Sequence, residues 1–290
     1  MNNILKLVRV KHWVKNVLVF FPLVFSGLLF DLNSFLDVIA VFVAFSLVAS
    51  IVYIINDIRD VEKDRLHEKK KYRPIASGAI SIKSAYILIS LLLMLTIPPL
   101  YFLEFEIMII VVLFSYLLMN VIYSIYLKQI PLLELSVIVV GFLLRILIGG
   151  VVINVEISSW LFLTVLSMSF FLAVGKRRNE LIKLGEQSRG VLLHYPPAFL
   201  DKFLYLFLAL TLVFYSLWTV FLEFDVNNNV LIWTVPLVVL ITMRYSMILE
   251  GDSLGDPTEV LFKDKWLVGA VLFYGLVMLA IFYSGMVGFI

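Results

Sequence analysis

Runs of about 20 apolar residues recur along this chain, and each is long enough to cross a bilayer. Nine are read: 17–33, 35–55, 84–103, 107–127, 132–153, 157–175, 203–222, 230–249 and 266–288. With 62% hydrophobic and 15% charged residues the chain is too apolar for a soluble domain. The expected fold class is all-α: a polytopic membrane protein of about nine transmembrane helices. The first run is the weakest, interrupted by Pro22 and bounded by Lys15 and Asn16. The third carries Pro98-Pro99 near its outer end, where it can finish early. Residues 1–16 mix apolar and basic side chains and read as an amphipathic segment on the membrane surface. No small-residue cleavage pattern follows Lys6, Arg9, Lys11 and Lys15, so no cleaved signal peptide is expected. The absence of cysteine excludes disulfides, thiolate nucleophiles and Cys-ligated metals.

Charge sets the orientation. With the N-terminus inside, the inner segments are 1–16, 56–83, 128–131, 176–202 and 250–265. These, with Arg244 at the inner end of span eight, hold every one of the 23 Lys and Arg residues except Arg145. The outer loops carry Asp31, Glu104, Glu106, Glu156, Glu223 and Asp225. The positive-inside rule then puts the N-terminus in the cytoplasm and the C-terminus outside, in the cell (inner) membrane. The inner connections 56–83, 176–202 and 250–265 are the long polar ones, so the chemistry is expected in a cytoplasm-facing cavity. No linker divides residues 1–290, which read as one domain.

The densest polar stretch begins where the second run stops, at Asn56-Asp57-Ile58-Arg59-Asp60-Val61-Glu62-Lys63-Asp64-Arg65. Asp57, Asp60 and Asp64 are spaced i, i+3, i+7, which on a helix stacks three carboxylates on one face. Such carboxylates suit Mg²⁺ shared with a phosphorylated substrate; on the spacing alone, a solvated helix end paired with Arg59, Lys63 and Arg65 is the better explanation. The neighbouring residues weight the first reading. Lys69, Lys70, Lys71 and Arg73 supply cations within ten residues, the other half of a diphosphate site. The lysines fit anionic lipid as readily.

Asn-Asp-x-x-Asp-x-x-x-Asp followed by Arg73-Pro74-Ile75-Ala76-x-Gly78, with Tyr123-Ser124-x-x-Leu127-Lys128 after the fourth span, resembles the UbiA superfamily of intramembrane prenyltransferases. In that family the first motif binds Mg²⁺ and a diphosphate, and a second aspartate-rich motif follows the sixth span. Here that second place reads Gly175-Lys176-Arg177-Arg178-Asn179-Glu180-Leu181. One acidic and one basic cluster suit two anionic substrates. The pattern is similar to the decaprenyl-phosphate phosphoribosyltransferase branch. The similarity extends to Lys11-His12-Trp13-Val14-Lys15-Asn16-Val17-Leu18-Val19, to Gly141-Phe142-x-x-Arg145 with Gly149-Gly150, and to Gly255-Asp256-Pro257-x-Glu259-Val260-Leu261.

The resemblance implies Mg-dependent transfer of 5-phosphoribose from 5-phosphoribosyl 1-diphosphate to a polyprenyl phosphate, releasing diphosphate and yielding a lipid-linked sugar donor for envelope polysaccharide. It makes Asp57, Asp60 and Asp64 the catalytic metal ligands. The expected substrate-binding set is Lys15, Asn16, Asn56, Arg65, Arg73, Tyr123, Lys128, Arg145, Lys176, Arg177 and Glu180. Glu180 lies i+4 from Lys176 and is read as its orienting partner; Arg178 is read as a surface charge, and Asp256 and Glu259 as structural. Arg145, about 13 residues or roughly 20 Å into span five, either holds a phosphate or locks helices. Glu134, Ile138, Gly141 and Arg145 share one face, and the glycines allow close helix packing. The acceptor phosphate is ionised at pH 7 and needs no general base, so His12, His67 and His194 carry no assigned role. The expected partners are the two substrates and the bilayer, with no nucleic acid; a homo-oligomer stays open. A prenyl diphosphate with an aromatic or lipid acceptor is the alternative within the family. A transporter, which predicts charges in several spans and inverted repeats, is the alternative outside it.

Overall fold

The computed structural model describes residues 3–68, 70–185, 190–222, 228–251, 253 and 255–283. Lys69, Glu223, Asp225 and the end of the last expected span lie outside them. Among the described residues eight helices are long and apolar enough to cross a membrane. We label them α1 (Leu32–Arg59), α2 (Ile82–Phe102), α3 (Ile107–Ile125), α4 (Leu133–Val152), α5 (Ser159–Leu184), α6 (Pro197–Phe221), α7 (Ile232–Glu250) and α8 (Lys265–Tyr283). The chain is an integral membrane protein of helical class.

The count of nine is not reached, because 17–33 is not one α-helix. A 3₁₀ helix runs over Val10–Phe20 and passes into a five-residue α-helix, Phe21–Phe25. Pro22 falls at the start of that short helix, where no N–H is needed. The 3₁₀ form has a reason in the sequence. Trp13, Asn16 and Val19 recur every third residue, a straight stripe only at three residues per turn. The stripe packs along α1: Trp13 Nε1 donates to Ser50 Oγ at 3.1 Å and Asn16 Nδ2 to Ser46 Oγ at 2.9 Å. Three residues of 3₁₀ helix and four of α-helix each advance about 6 Å, so steps of three on one side match steps of four on the other.

The ends of the long helices follow local chemistry. Asp31, Ser81 and Ser158 cap α1, α2 and α5 by accepting from the N–H three residues on. Pro98 and Pro99 lie in the last turn of α2, which continues to Phe102. Helix α5 runs past the expected 175 to Leu184, because 176–184 contains no breaker and Gly185, at φ 49°, is the first residue able to stop it. Lys176, Arg177 and Arg178 therefore sit on a helix and not in a loop.

The chain divides into two compact units. The first comprises 1–23, 29–128 and 144–155; the second 24–28, 129–143 and 156–290. In the first, α1 is central. Its apolar window is 67% buried against 17% for α2, which presents its surface to lipid. Leu7, Leu47, Ile51, Ile54, Ile75 and Leu92 form the core around its C-terminal half. In the second unit the core beside the middle of α5 gathers Phe171, Val174, Leu192, Leu200, Tyr245 and Leu249.

Candidate functional site

In the first unit the polar stretch breaks at Asp60. Helix α1 ends at Arg59, Asp60 leaves helical geometry at φ −91°, ψ 7°, and a short helix follows over Val61–Leu66. The i→i−4 bonds persist through the break, from Asp60 N to Asn56 O and from Asp64 N to Asp60 O. The three carboxylates expected in one stack are thus separated. Asp57 and Asp64 are buried and converge on one nitrogen: Arg73 Nη1 lies 3.2 Å from Asp57 Oδ1 and 2.6 Å from Asp64 Oδ2. Asp60 instead takes Lys128 Nζ at 2.7 Å.

Arg73 is aimed by its loop. Ile75, 2% exposed, buries the turn, Ile80 N donates to Pro74 O, and Gly78 at φ 76° closes it. Arg65 braces the same loop by donating to Ala76 O at 3.3 Å, and its other end pairs with Glu62. Arg59 donates to Ile125 O at the C-terminal end of α3. Burial first, then the Lys70 charge, hold the His67 imidazole below its ordinary pKa; it is neutral at pH 7, and its Nδ1 accepts from Lys70 N–H. Asn56, Lys15 and Tyr123 are half-buried.

Sequence reasoning missed one cation here. Arg9 Nη2 donates to Asp57 Oδ1 at 2.5 Å, and its guanidinium stacks 4.8 Å over the Tyr53 ring. Only its place within the amphipathic segment 1–16, six residues before Lys15, hinted at it.

Asn16 and Arg145 lie together in the interior of this unit. Arg145 Nε donates to Asn16 Oδ1 at 2.7 Å and Nη2 to Tyr116 OH at 3.1 Å, with the guanidinium over the Phe45 and Tyr116 rings. Of the two roles open to Arg145, the geometry is that of a helix lock.

In the second unit the basic stretch is paired throughout its three cations. Arg177 is buried; its Nε lies 3.0 and 2.7 Å from the two oxygens of Glu134, and Nη1 reaches Glu180 at 2.8 Å. Glu180 Oε2 is thus an ion-pair partner of Arg177, its i−3 neighbour. Lys176 Nζ takes Asp256 Oδ2 at 2.5 Å and remains part-exposed. Arg178 is no free surface charge: it is clamped by Asp201 and Glu250. Asn179 Nδ2 donates to Leu249 O and Ser253 O, which pins the segment after α7 onto α5. Gly255 sits at φ 77°, and a Cβ there would lie 2.9 Å from Lys176 Cα, so this close approach requires glycine. Asp256 also caps the helix Pro257–Lys263.

Among the described residues no three His, Asp or Glu side chains come together as a metal cage. Two buried carboxylates converging on a single positive atom fit Mg²⁺ better than a cage, since that ion takes one or two carboxylates and completes its shell with water and phosphate. Asp57 and Asp64 are the residues that would hold it.

Residues 19–263 match the sequence profile of the UbiA prenyltransferase family, a single match running through both units. A Mycolicibacterium smegmatis protein named decaprenyl-phosphate phosphoribosyltransferase is 32% identical over 302 residues, covering 98% of this chain and 93% of its own. Its namesake in Corynebacterium glutamicum is 32% identical over 277 residues, covering 91% and 82%. Among solved structures, a UbiA homolog from Archaeoglobus fulgidus bound to GPP and Mg²⁺ aligns with a TM-score of 0.72 at 17% identity, over 98% of this chain and 99% of that one. At that identity the likeness is one of fold.

Proposed function

The chain belongs to the UbiA prenyltransferase family, and from that membership we propose that it transfers 5-phosphoribose from 5-phosphoribosyl 1-diphosphate to a polyprenyl phosphate, with Mg²⁺, at the cytoplasmic face of the membrane. The named relatives support the reaction, and the distribution of Lys and Arg supports the orientation. The observation that carries the reading is the contrast between two stretches. Asp57 and Asp64 converge in the first unit, whereas 176–178 in the second is Lys-Arg-Arg. Of the three cations in that stretch Arg177 and Arg178 are held by buried or flanking carboxylates, and Lys176 is the most exposed.

The reaction breaks the bond from ribose C1 to the diphosphate oxygen and forms one from C1 to a phosphate oxygen of the acceptor, with no net proton transfer. A divalent cation on Asp57 and Asp64 would neutralise charge growing on the diphosphate. Arg73 and Lys128, already held at the carboxylates, supply charge-assisted bonds to donor phosphate oxygens. Burial of Asp57 and Asp64 keeps water from their oxygens and strengthens each of these contacts. Lys176, the part-exposed member of its group, offers its ammonium to the acceptor phosphate. Asn16, Arg145 and Arg177 act through the helices they hold.

The test is a transfer assay in detergent with labelled 5-phosphoribosyl 1-diphosphate, Mg²⁺ and a polyprenyl phosphate. Label entering the lipid phase, and lost with EDTA, is the expected result. A folded protein that transfers none across several chain lengths, yet consumes a prenyl diphosphate, overturns the reading.

A further inference from the structure

Around the break in α1 each carboxylate is met by a cation. Asp57 takes Arg9 and Arg73, Asp64 takes Arg73, and Asp60 takes Lys128. Each of these carboxylates therefore already has a cationic partner from the same chain. Arg73 follows the acidic stretch closely in sequence, and Lys128 belongs to the motif after the fourth span. Arg9 comes from the N-terminal segment, between the helix Asn3–Val8 and the 3₁₀ helix, and holds the left-handed conformation at φ 55°, ψ 46°. A non-glycine residue adopts that conformation where its surroundings dictate it. Here the surroundings are specific: the turn delivers the guanidinium onto Asp57 Oδ1 and over the Tyr53 ring.

We propose that Arg9 is an exchangeable internal counter-cation, holding Asp57 in the metal-free site and moving to an anionic phosphate of the donor when a divalent cation takes Asp57. The inference rests on the reading of Asp57 and Asp64 as metal ligands. Its logic is charge balance. Asp57 is 3% exposed, so a buried carboxylate cannot be left alone in the absence of metal. A divalent cation adds two positive charges beside carboxylates that already hold arginine and lysine, and like charges a few ångströms apart repel strongly in a dry site. A polyphosphate arriving with the metal offsets the added charge and gives the displaced guanidinium a bidentate partner. Arg9, 20% exposed, has the freedom to change partners that Asp57 lacks. Metal and donor binding thus become coupled, each favouring the other.

The coupling separates this role from a structural one. A merely structural arginine, once removed, weakens metal and donor together. A counter-cation moves them in opposite directions. The experiment uses full-length protein in detergent, reading thermal stability against Mg²⁺ without donor, then donor KM at saturating Mg²⁺. For Arg9→Gln we expect the half-saturating Mg²⁺ to fall about tenfold and the donor KM to rise about tenfold, the size of one charge-assisted contact. Arg9→Lys keeps the charge but loses the fork and the stacking on Tyr53, and is expected to show smaller shifts of the same opposed signs; it serves if the glutamine variant does not fold. Unchanged Mg²⁺ affinity, or both affinities weakened, overturns the inference while the wild-type metal response and transfer still stand. A wild-type protein whose stability ignores Mg²⁺ and which transfers nothing overturns the underlying reading, and the inference with it.

Discussion

Arg145 donates to the side-chain oxygen of Asn16 at 2.7 Å, joining residues 129 positions apart in the interior of the first unit. Both ends of the Asn16 amide are used, since Nδ2 donates to Ser46. At 1% exposure it has no face left for a ligand. Together the two residues tie the 3₁₀ segment to α1 and to the second half of α4.

Asn16→Ala should therefore lower stability by about 1–3 kcal/mol, the penalty for leaving the Arg145 Nε buried and unsatisfied. Unfolding in detergent measures it. A residue that bound phosphate instead would give an unchanged unfolding midpoint and a raised donor KM. Arg145→Lys should behave like Asn16→Ala, because an ammonium cannot reproduce the planar fork reaching both Asn16 and Tyr116.

Gly149 offers a sharper test of the same packing. A Cβ there would lie 2.1 Å from Val19 O, a backbone atom that cannot swing aside. Gly149→Ala should cost at least about 1–3 kcal/mol by forcing the 3₁₀ segment off α4. Gly275→Ala on α8, where a Cβ meets nothing within 4 Å, should be neutral or stabilising by about 0.5–1 kcal/mol. Opposite signs from one chemical change would locate the close approach; equal effects would deny it.

These contacts mark where the sequence stopped being legible. The apolar runs announced α1 to α8 because bilayer thickness leaves little choice of length. The first run was the least legible, since the helix there begins before it, at Val10, and the period of three at Trp13, Asn16 and Val19 is invisible beside a simple tally of apolar residues. The spacing of Asp57, Asp60 and Asp64 predicted one face, but spacing assumes an unbroken helix, and Asp60 breaks it. Lys176 to Arg178 were legible as cations and not as ion pairs. Their partners Asp256, Glu134 and Asp201 come from other helices and a loop that only the fold brings near. Arg9 was hidden for the same reason.

The convergence of Asp57 and Asp64 on Arg73, and the separate pairing of Asp60 with Lys128, predict a division of labour. Asp57→Asn and Asp64→Asn should abolish the stabilisation that Mg²⁺ gives the donor-free protein, and should cut turnover about a hundredfold or more. Asp60→Asn should also cut turnover, by releasing Lys128 from its position, yet retain the Mg²⁺ effect on the unfolding midpoint. Loss of that effect in all three variants would restore a three-carboxylate site.

The buried pair of Arg177 and Glu134 should behave as a clamp. Their side chains are 3% and 0% exposed. Glu134→Gln leaves a buried guanidinium short of charge and should cost about 3–5 kcal/mol. Replacing both residues by methionine removes the two buried charges at once, so the double variant should be more stable than either single one. A double-mutant cycle in denaturant reads this directly, and additive losses would mean that the two residues act separately.

Lys176 and Asp256 carry the last distinction, between an anion contact and a topology anchor. Asp256 has two tasks: Oδ1 accepts from Thr258 N–H at the head of the helix Pro257–Lys263, and Oδ2 holds Lys176. Asp256→Asn keeps an acceptor for the cap and weakens the grip on the ammonium. Asp256→Ala loses both. If Lys176 meets the acceptor phosphate, Lys176→Gln should raise the polyprenyl phosphate KM about tenfold with the unfolding midpoint unchanged. Asp256→Asn should then alter KM without loss of stability, whereas Asp256→Ala should also lower the midpoint through the lost cap, by about 1 kcal/mol. An anchor would leave KM alone in all three variants, and the only variant to show a change would be Asp256→Ala, in stability.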